Sequence, residues 1–393
     1  MKESLGVECH CVAFSEPVTF TRSFFQLKTL MDSPRTISDD PEEVRTLAAE
    51  FWSCHLSDQI QTEKVCGGIT NILYHVWLAD DSVTPVQYPN ILVRIFGRAG
   101  SMVIDRQCEA SVVELLDRHE FGPKMLGKFE NGRIEEFFPS RRPLDSVEMM
   151  NPMVSEMIAR RLRELHNIPI TETCDSSAAC IFPNLDCWLK LARETSRPPP
   201  IPLDQLAEEI EWAKENVVRL AAGSTSPLCS IVLCHNDLLG GNILINESFD
   251  DIVFIDFEYA SLNYAGFDIA NHFCALPESA LISTGKYDMH AFPSLENQHH
   301  FLNVYLDGKR TKLADHEQSA ETLASARDQA DSDSDDLRIL AGFCLLAELR
   351  WIVWSIVQAE HSTVKFDYEN YARERFGFGY LKFKKRFQAD DQA

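Results

Sequence analysis

Two apolar runs with polar residues between and after them decide the fold of this chain: Val232-Leu-Cys-His-Asn-Asp-Leu-Leu-Gly-Gly-Asn-Ile-Leu-Ile-Asn246 and Ile252-Val-Phe-Ile-Asp-Phe-Glu-Tyr259. Short runs of Ile, Val, Leu and Phe bounded by Asn, Asp and Gly predict buried strands joined by a polar loop. Asp237 precedes Asn242 by five positions, and Asp256 follows Asn242 by fourteen. Asn242 and Asp256 are therefore expected on the two sides of one short hairpin, with Asp237 close by.

This set of polar residues suits phosphoryl transfer. An Asp, four residues, an Asn and then an Asp after the next strand is the order found in a protein-kinase catalytic loop. In that chemistry a carboxylate aligns the acceptor hydroxyl and takes its proton, while oxygen ligands hold Mg²⁺. Asp237 is thus the predicted base, and Asn242 and Asp256 are the predicted metal ligands. The alternative is that all three only form turns, which Asn and Asp often do.

The same segment resembles the choline/ethanolamine kinase family. The resemblance is carried by His235-Asn-Asp-x4-Asn-Ile-Leu244 and Ile255-Asp-Phe-Glu-Tyr-x3-Asn-Tyr-x2-Phe-Asp-Ile-x-Asn-His-Phe273, and it extends from about 65 to about 387. The wider aminoglycoside-phosphotransferase-like group shares the first motif but not the second. The resemblance implies an α+β, bilobal protein-kinase-like fold with a small antiparallel-sheet N-lobe and a larger, mainly helical C-lobe. It also implies ATP and Mg²⁺ as cofactors and a small amino alcohol, choline or ethanolamine, as the substrate phosphorylated for phospholipid synthesis.

The resemblance further implies an ATP site in the N-lobe. Its residues are Gly67, Gly68, Thr70, Asn71, Arg94, Glu109, Glu136 and Phe138. The first four match a turn that covers the nucleotide. Arg94 takes the place of the kinase lysine, since an Arg can hold phosphate oxygens in a bidentate way, and Glu109 matches the acid that pairs with it. Glu136 and Phe138 match the hinge that contacts adenine through its backbone, although an ordinary edge strand would have the same pattern.

An acceptor pocket for a small cation is expected around four aromatic residues. Trp351 and Trp354 lie three positions apart and would share one helix face. With Tyr259 and Tyr371 they resemble the choline-pocket region of the family, where aromatic rings attract ammonium groups. Taken alone, a Trp pair at this spacing would indicate a packed core, and the kinase motif upstream shifts the interpretation to a pocket.

The sequence departs from the family at this pocket. Ala275 stands where the family commonly has a Glu that helps to hold the substrate nitrogen, and Glu278 follows three positions later. Leu238-Leu239 looks more like ethanolamine kinases, whereas 132–142 looks more like choline kinases. The substrate signals therefore conflict, and the preferred amino alcohol stays open. An aminoglycoside-type kinase and a catalytically impaired pseudokinase or binding subunit, suggested by Ala275, are the alternatives.

Composition narrows the partners. The chain has 393 residues, and 37 basic against 60 acidic residues give a net charge of −23. No basic surplus exists for nucleic acid or for an anionic membrane. Twelve scattered Cys residues without a signal peptide predict a reduced, cytoplasmic protein, and the spacing of Cys9-His10-Cys11 is wrong for paired zinc ligands. The apolar run 339–357 contains Glu348 and Arg350, so it predicts a buried helix rather than a membrane span.

The expected domain organisation has two lobes. Residues 1–40 lack a sustained period and are expected to be an N-terminal extension of uncertain order. The N-lobe is expected over 41–138 and the C-lobe over 139–393, with 315–336 as an acidic, mobile insert because it combines many acids with no aromatic residue. A homodimer stays open.

Overall fold

The structure, a computed structural model, describes residues 31–53, 59–65, 71–79, 86–97, 102–170, 178–306, 320–362 and 364–390. Within these ranges the chain forms two lobes. The N-lobe is built on one sheet, and the C-lobe is mainly helical and carries two small sheets. This is the predicted architecture.

The N-lobe sheet has six strands in the order β1-β5-β6-β4-β3-β2. The strands are β1 (Met31–Ser33), β2 (Ile60–Val65), β3 (Asn71–Leu78), β4 (Asn90–Phe96), β5 (Met125–Phe129) and β6 (Gly132–Glu136). Every pairing is antiparallel except β1 with β5, which is parallel. The sheet is therefore mixed at one edge rather than wholly antiparallel, because a segment before the expected lobe boundary joins it.

Residues 31–40 belong to this lobe. Ile37 is buried in the N-lobe core, and its backbone N–H and C=O both bond the side chain of Asn131. Asp39 accepts hydrogen bonds from Lys64 and from the Tyr74 hydroxyl. The expected extension of 1–40 therefore ends earlier than predicted, since its last ten residues are bonded to the sheet; residues 1–30 lie outside the described part.

The C-lobe contains most of the helices. The helices of the whole described chain are α1 (Pro41–Trp52), α2 (Arg106–Arg118), α3 (Ser146–Met149), α4 (Pro152–His166), α5 (Ile181–Glu194), α6 (Leu203–Ala222), α7 (Ala265–Thr284), α8 (Leu295–Tyr305), α9 (Ala320–His361), α10 (Tyr368–Glu374), a π-helical turn (Arg375–Tyr380) and α11 (Leu381–Asp390). Strands β7 (Arg141–Pro143), β9 (Ile243–Asn246) and β10 (Ile252–Phe254) form one small sheet, and β8 (Ile231–Cys234) pairs with β11 (Ser261–Tyr264) in the other.

Helix α9 passes through the centre of the C-lobe. Its segment Asp335–His361 is apolar and long enough to cross a membrane, with a mean hydropathy of 1.7, but 94% of the apolar window is buried inside the fold. It is therefore a core helix, as predicted. Of the expected acidic, mobile insert, 315–319 lie outside the described residues and the backbone from Ala320 onward is helical, while its mobility stays a prediction. Ala, Glu, Gln and Arg are strong helix formers, and acids favour the N-terminal end of a helix.

Helix α2 connects the two lobes. It follows β4 in the N-lobe, yet its buried residues Val112, Leu115 and Leu116 pack into the C-lobe hydrophobic cluster. The N-lobe sheet has its own cluster around Val76, Ile91 and other strand residues. The segments predicted to be catalytic thus lie where a sheet with its own core meets a helix anchored in the other lobe.

Candidate active site

The loop predicted to be catalytic lies between β8 and β9. Asn242 Nδ2 donates to the backbone carbonyl of Asp237 at 2.8 Å and to its Oδ2 at 3.2 Å. The Ile255 N–H donates to the Asn242 carbonyl at 3.0 Å, which places Asp256 directly beside Asn242. The structure therefore brings Asp237, Asn242 and Asp256 together at one end of the β9–β10 hairpin.

The backbone of this loop is fixed by Asp268 on α7. Its two carboxylate oxygens accept the N–H groups of His235 and Asn236, each at 2.7 Å, and His166 donates to it as well. Burial alone would raise the pKa of Asp268, but the hydrogen bond and charge of His166 lower it below its usual range. Asn236 has the left-handed φ of 63° that this bend requires. Asp268 thus orients the peptide just before Asp237.

Asp237 lies in a strongly charged surrounding. Loss of solvation raises the pKa of Asp237 well above its usual range, the Glu278 carboxylate adds to this rise, and the Arg350 guanidinium opposes it. Asp256 and Glu258 raise this pKa further. A cation bound here would relieve several carboxylates at once.

Arg94 points at the half of the site that is predicted to bind the metal. It is 2% exposed and donates to Asp256 Oδ1 at 2.8 Å and to Glu135 at 3.3 Å. The predicted pairing of Arg94 with Glu109 is wrong: Glu109 bonds Arg106 at 2.6 Å and Arg133 at 2.5 Å instead. The reason is the register of the sheet, in which Arg94 stands opposite Arg133. Glu135 contacts both Arg side chains. Glu109 then pairs with Arg133, and Asp256 pairs with Arg94.

The other predicted nucleotide residues are distributed over the N-lobe. Gly67, Gly68 and Thr70 lie outside the described residues. Asn71 Nδ2 donates to Glu258 Oε2 at 2.7 Å, so it bridges the lobes. Glu136 ends β6, and Phe138 follows that strand, half-buried, on the segment that leads into the C-lobe. That placement agrees with a connecting hinge.

The four predicted aromatic residues form one cluster. The ring centroids lie 5.5 Å apart for Tyr259 and Trp351, 5.4 Å for Trp351 and Trp354, and 6.3 Å for Trp354 and Tyr371, all edge to face. Trp354 Nε1 donates to the Tyr259 hydroxyl at 2.9 Å. The Tyr259 carbonyl accepts from Asn236 Nδ2 at 3.0 Å, which ties the cluster to the residue before Asp237.

A carboxylate lies against this cluster. Glu278 accepts a hydrogen bond from the Tyr371 hydroxyl and forms an ion pair with Arg375 at 2.6 Å. Arg375 is also paired with the buried Glu348 at 3.1 Å. Ala275 is on the same helix, α7, one turn before Glu278. Position 275 thus lacks the acid common in the family, but the Glu278 carboxylate lies one turn away and is held in place by Tyr371 and Arg375.

Several site residues escaped the sequence interpretation. Glu135 and Arg133 complete the N-lobe charge network. They are two positions apart on one strand, so their side chains share a face of the sheet, and this spacing is the signal in the sequence that could have indicated the pair. Arg350 Nη1 donates to the Asn236 carbonyl. In the sequence, Arg350 is the one Arg of an apolar run that also contains two Trp residues. That pattern makes the residue unusual, but it does not show what the side chain contacts.

The donor set suits a hard divalent cation. In the part of the chain that the structure describes, Asn242 Oδ1 and Asp256 Oδ2 have no hydrogen-bond partner, and Asp256 is 25% exposed at its side chain. Carboxylate and amide oxygens are the ligands that Mg²⁺ prefers. The residues present therefore fit the ion that the fold implies.

The fold and this arrangement define a protein-kinase-like small-molecule phosphotransferase. The sequence model of the choline/ethanolamine kinase family matches residues 62–380, and the chain belongs to that family. It is 31% identical to a Homo sapiens choline/ethanolamine kinase over 83% of this chain and 81% of that protein, and 32% identical to ethanolamine kinase 1 of Mus musculus over 81% and 82%. A solved Plasmodium vivax ethanolamine kinase superimposes with a TM-score of 0.69 at 25% identity, covering 88% of this chain and 89% of that one.

Proposed function

We propose that this enzyme transfers the γ-phosphoryl group of ATP to the hydroxyl of choline or ethanolamine. The observation that carries the proposal is the continuity of the site: Asp237 touches Asn242 on one side, and the Asn236 side chain bonds the aromatic cluster on the other. A phosphate-side half and an ammonium-side half therefore meet at one carboxylate.

In this mechanism the chain's own residues act mainly by positioning. Asp237 aligns the substrate hydroxyl and takes its proton. General-base catalysis of this kind typically raises the rate by about 10²–10⁴-fold. Arg94 braces phosphate oxygens from its buried position beside Asp256. Tyr259, Trp351 and Glu278 hold the ammonium end, so that the hydroxyl faces the phosphate.

Mg²⁺ is part of the proposal. Asn242 and Asp256 would hold it, and the bound ion would neutralise charge on the phosphate oxygens during transfer. Glu258 lies between the lobes and accepts from Asn71 at 2.7 Å, so it keeps the N-lobe docked against the metal-binding residues.

The proposal also covers the use of the product and the cellular compartment. The product would be phosphocholine or phosphoethanolamine, which enter phospholipid synthesis. The seven Cys residues in the described ranges are all free, in line with a reduced cytoplasmic setting.

The decisive test measures ADP formed from MgATP with ethanolamine, choline or kanamycin as acceptor. We expect turnover of an amino alcohol and none of kanamycin. Asp237→Asn should lower kcat by about 10²–10⁴-fold without changing the Kd for ATP. Asp204→Asn, at an exposed carboxylate on α6, is the matched control. ATP binding without ADP formation from any acceptor would instead identify a pseudokinase.

A further inference from the structure

Arg350 is a permanently charged side chain buried behind the acceptor pocket. It is 1% exposed, and its guanidinium carbon lies 5.2 Å from the ring centroid of Tyr259, 4.8 Å from that of Trp351 and 5.2 Å from that of Trp188. Cations within about 6 Å of an aromatic centroid are attracted by the ring. Two rings expected to attract the substrate's ammonium group therefore already interact with a cation of the protein itself.

Only part of this guanidinium is bonded. Nη1 donates to the Asn236 carbonyl, whereas Nε and Nη2 are buried and have no hydrogen-bond partner among the described residues. The guanidinium group of an Arg side chain is a cation with no acceptor atom. A second cation that relied on the rings alone would meet repulsion from Arg350 and would share the π-systems of Tyr259 and Trp351 with it.

Glu278 offers a different kind of attraction. Its carboxylate is fixed by the Tyr371 hydroxyl and by Arg375, and its side chain keeps 12% exposure. A primary ammonium group can donate charge-assisted hydrogen bonds to such an oxygen. A trimethylammonium group has no N–H, so it gains only the long-range charge attraction.

We infer that the acceptor site selects a primary ammonium alcohol, ethanolamine, over the quaternary choline, and that Arg350 and Glu278 are the specificity-determining residues. Arg350 weakens the binding of a cation that depends on ring faces, and Glu278 compensates only the substrate that can hydrogen-bond to it. This inference rests on the proposed function, because it names the substrate of the same site.

The test compares kcat/KM for ethanolamine and choline with the full chain at saturating MgATP. We expect the kcat/KM of the wild type to be about tenfold or more higher for ethanolamine than for choline, because one hydrogen bond to a charged group contributes a difference of this size. Glu278→Gln should lower kcat/KM for ethanolamine by about 10- to 100-fold and affect choline much less. Arg350→Met, which keeps the length but removes the charge, should bring the ratio towards one by lowering the KM for choline.

The ratio is the readout because Arg350 also bonds the Asn236 carbonyl, and any loss through that bond affects both substrates equally. Arg193→Met, at an exposed Arg on α5, removes the same charge elsewhere and should leave the ratio unchanged. Equal or better use of choline by the wild type overturns the inference while the proposed function stands. Turnover of neither substrate overturns both. If Arg350→Met does not fold, as its melting curve would report, the wild-type ratio and Glu278→Gln still decide.

Discussion

Arg94 and Arg133 stand opposite each other on neighbouring strands, and two buried positive charges in that position need carboxylates between them. Glu135 supplies one, since it contacts both guanidinium groups. Burial alone would raise the pKa of Glu135, but Arg133 and Arg94 lower it to about 2. Glu135 therefore keeps Arg94 in place beside Asp256, although it need not touch a substrate itself.

We predict that Glu135→Gln lowers the free energy of unfolding at pH 7 by about 3 kcal/mol, because it leaves two buried Arg side chains with one carboxylate fewer. The pKa of Glu135 lies below its ordinary value in the folded state, so its stabilisation is complete above about pH 4.5 and is lost as the pH falls towards 2. Urea unfolding should thus show the difference between variant and wild type narrowing in acid.

Glu63→Gln is the control for this prediction, since Glu63 is exposed on β2 of the same sheet. Glu63→Gln should change the free energy of unfolding little at any pH. A Glu135→Gln protein as stable as wild type at pH 7 would contradict the view that this carboxylate holds the Arg pair together.

At the scale of the element, the turn Gly240–Asn242 sets the distance from Asp237 to Asn242. A Cβ on Gly240 would lie 2.7 Å from the Leu144 carbonyl oxygen and 2.8 Å from the Met149 sulfur. A Cβ on Gly241 would meet only the tip of the Leu239 side chain, at 2.9 Å, which can rotate away. Two adjacent glycines therefore differ in what an added methyl group would displace.

We predict that Gly240→Ala lowers kcat by at least about tenfold, because a shift of the turn by a fraction of an ångström misaligns the catalytic loop. It should also lower the free energy of unfolding by about 1–3 kcal/mol, the usual cost of overpacking. Gly241→Ala is the matched control and should change both quantities little. Steady-state kinetics measure kcat of the two variants, and thermal unfolding measures their stability. Equal losses in Gly240→Ala and Gly241→Ala would rule out a special role for the Leu144 contact.

Local patterns predicted those elements whose formation depends on nearby residues. The β9–β10 hairpin brings Asn242 and Asp256 together as their spacing indicated. The partners of Glu109 and Arg350 could not be predicted, because they depend on how a helix is placed against strands distant in the sequence. The parallel pairing of β1 with β5 is likewise a long-range contact, without a turn motif to mark it.

At the scale of the whole molecule, polar contacts join the lobes at the site. Arg94 on β4 reaches Asp256 at 2.8 Å, and Asn71 on β3 reaches Glu258 at 2.7 Å. Both acceptors belong to the segment that follows β10. The carboxylate proposed to hold Mg²⁺ is therefore also one that docks the N-lobe, so nucleotide and metal should stabilise the two lobes as one unit.

We predict that MgATP raises the Tm by several degrees, since a ligand at about a hundred times its Kd stabilises a protein by about 2.7 kcal/mol, and that ATP with EDTA gives a smaller rise. Asp256→Asn should retain the rise with ATP alone and lose the part that Mg²⁺ adds, because the amide removes an anionic ligand while keeping the side chain's shape. Asp251→Asn, at an exposed acid near the same hairpin, should respond as wild type does. Differential scanning calorimetry with each ligand distinguishes these outcomes. A full Mg²⁺-dependent rise in Asp256→Asn would mean that the ion is held elsewhere, and Asp256 would then serve only to anchor Arg94.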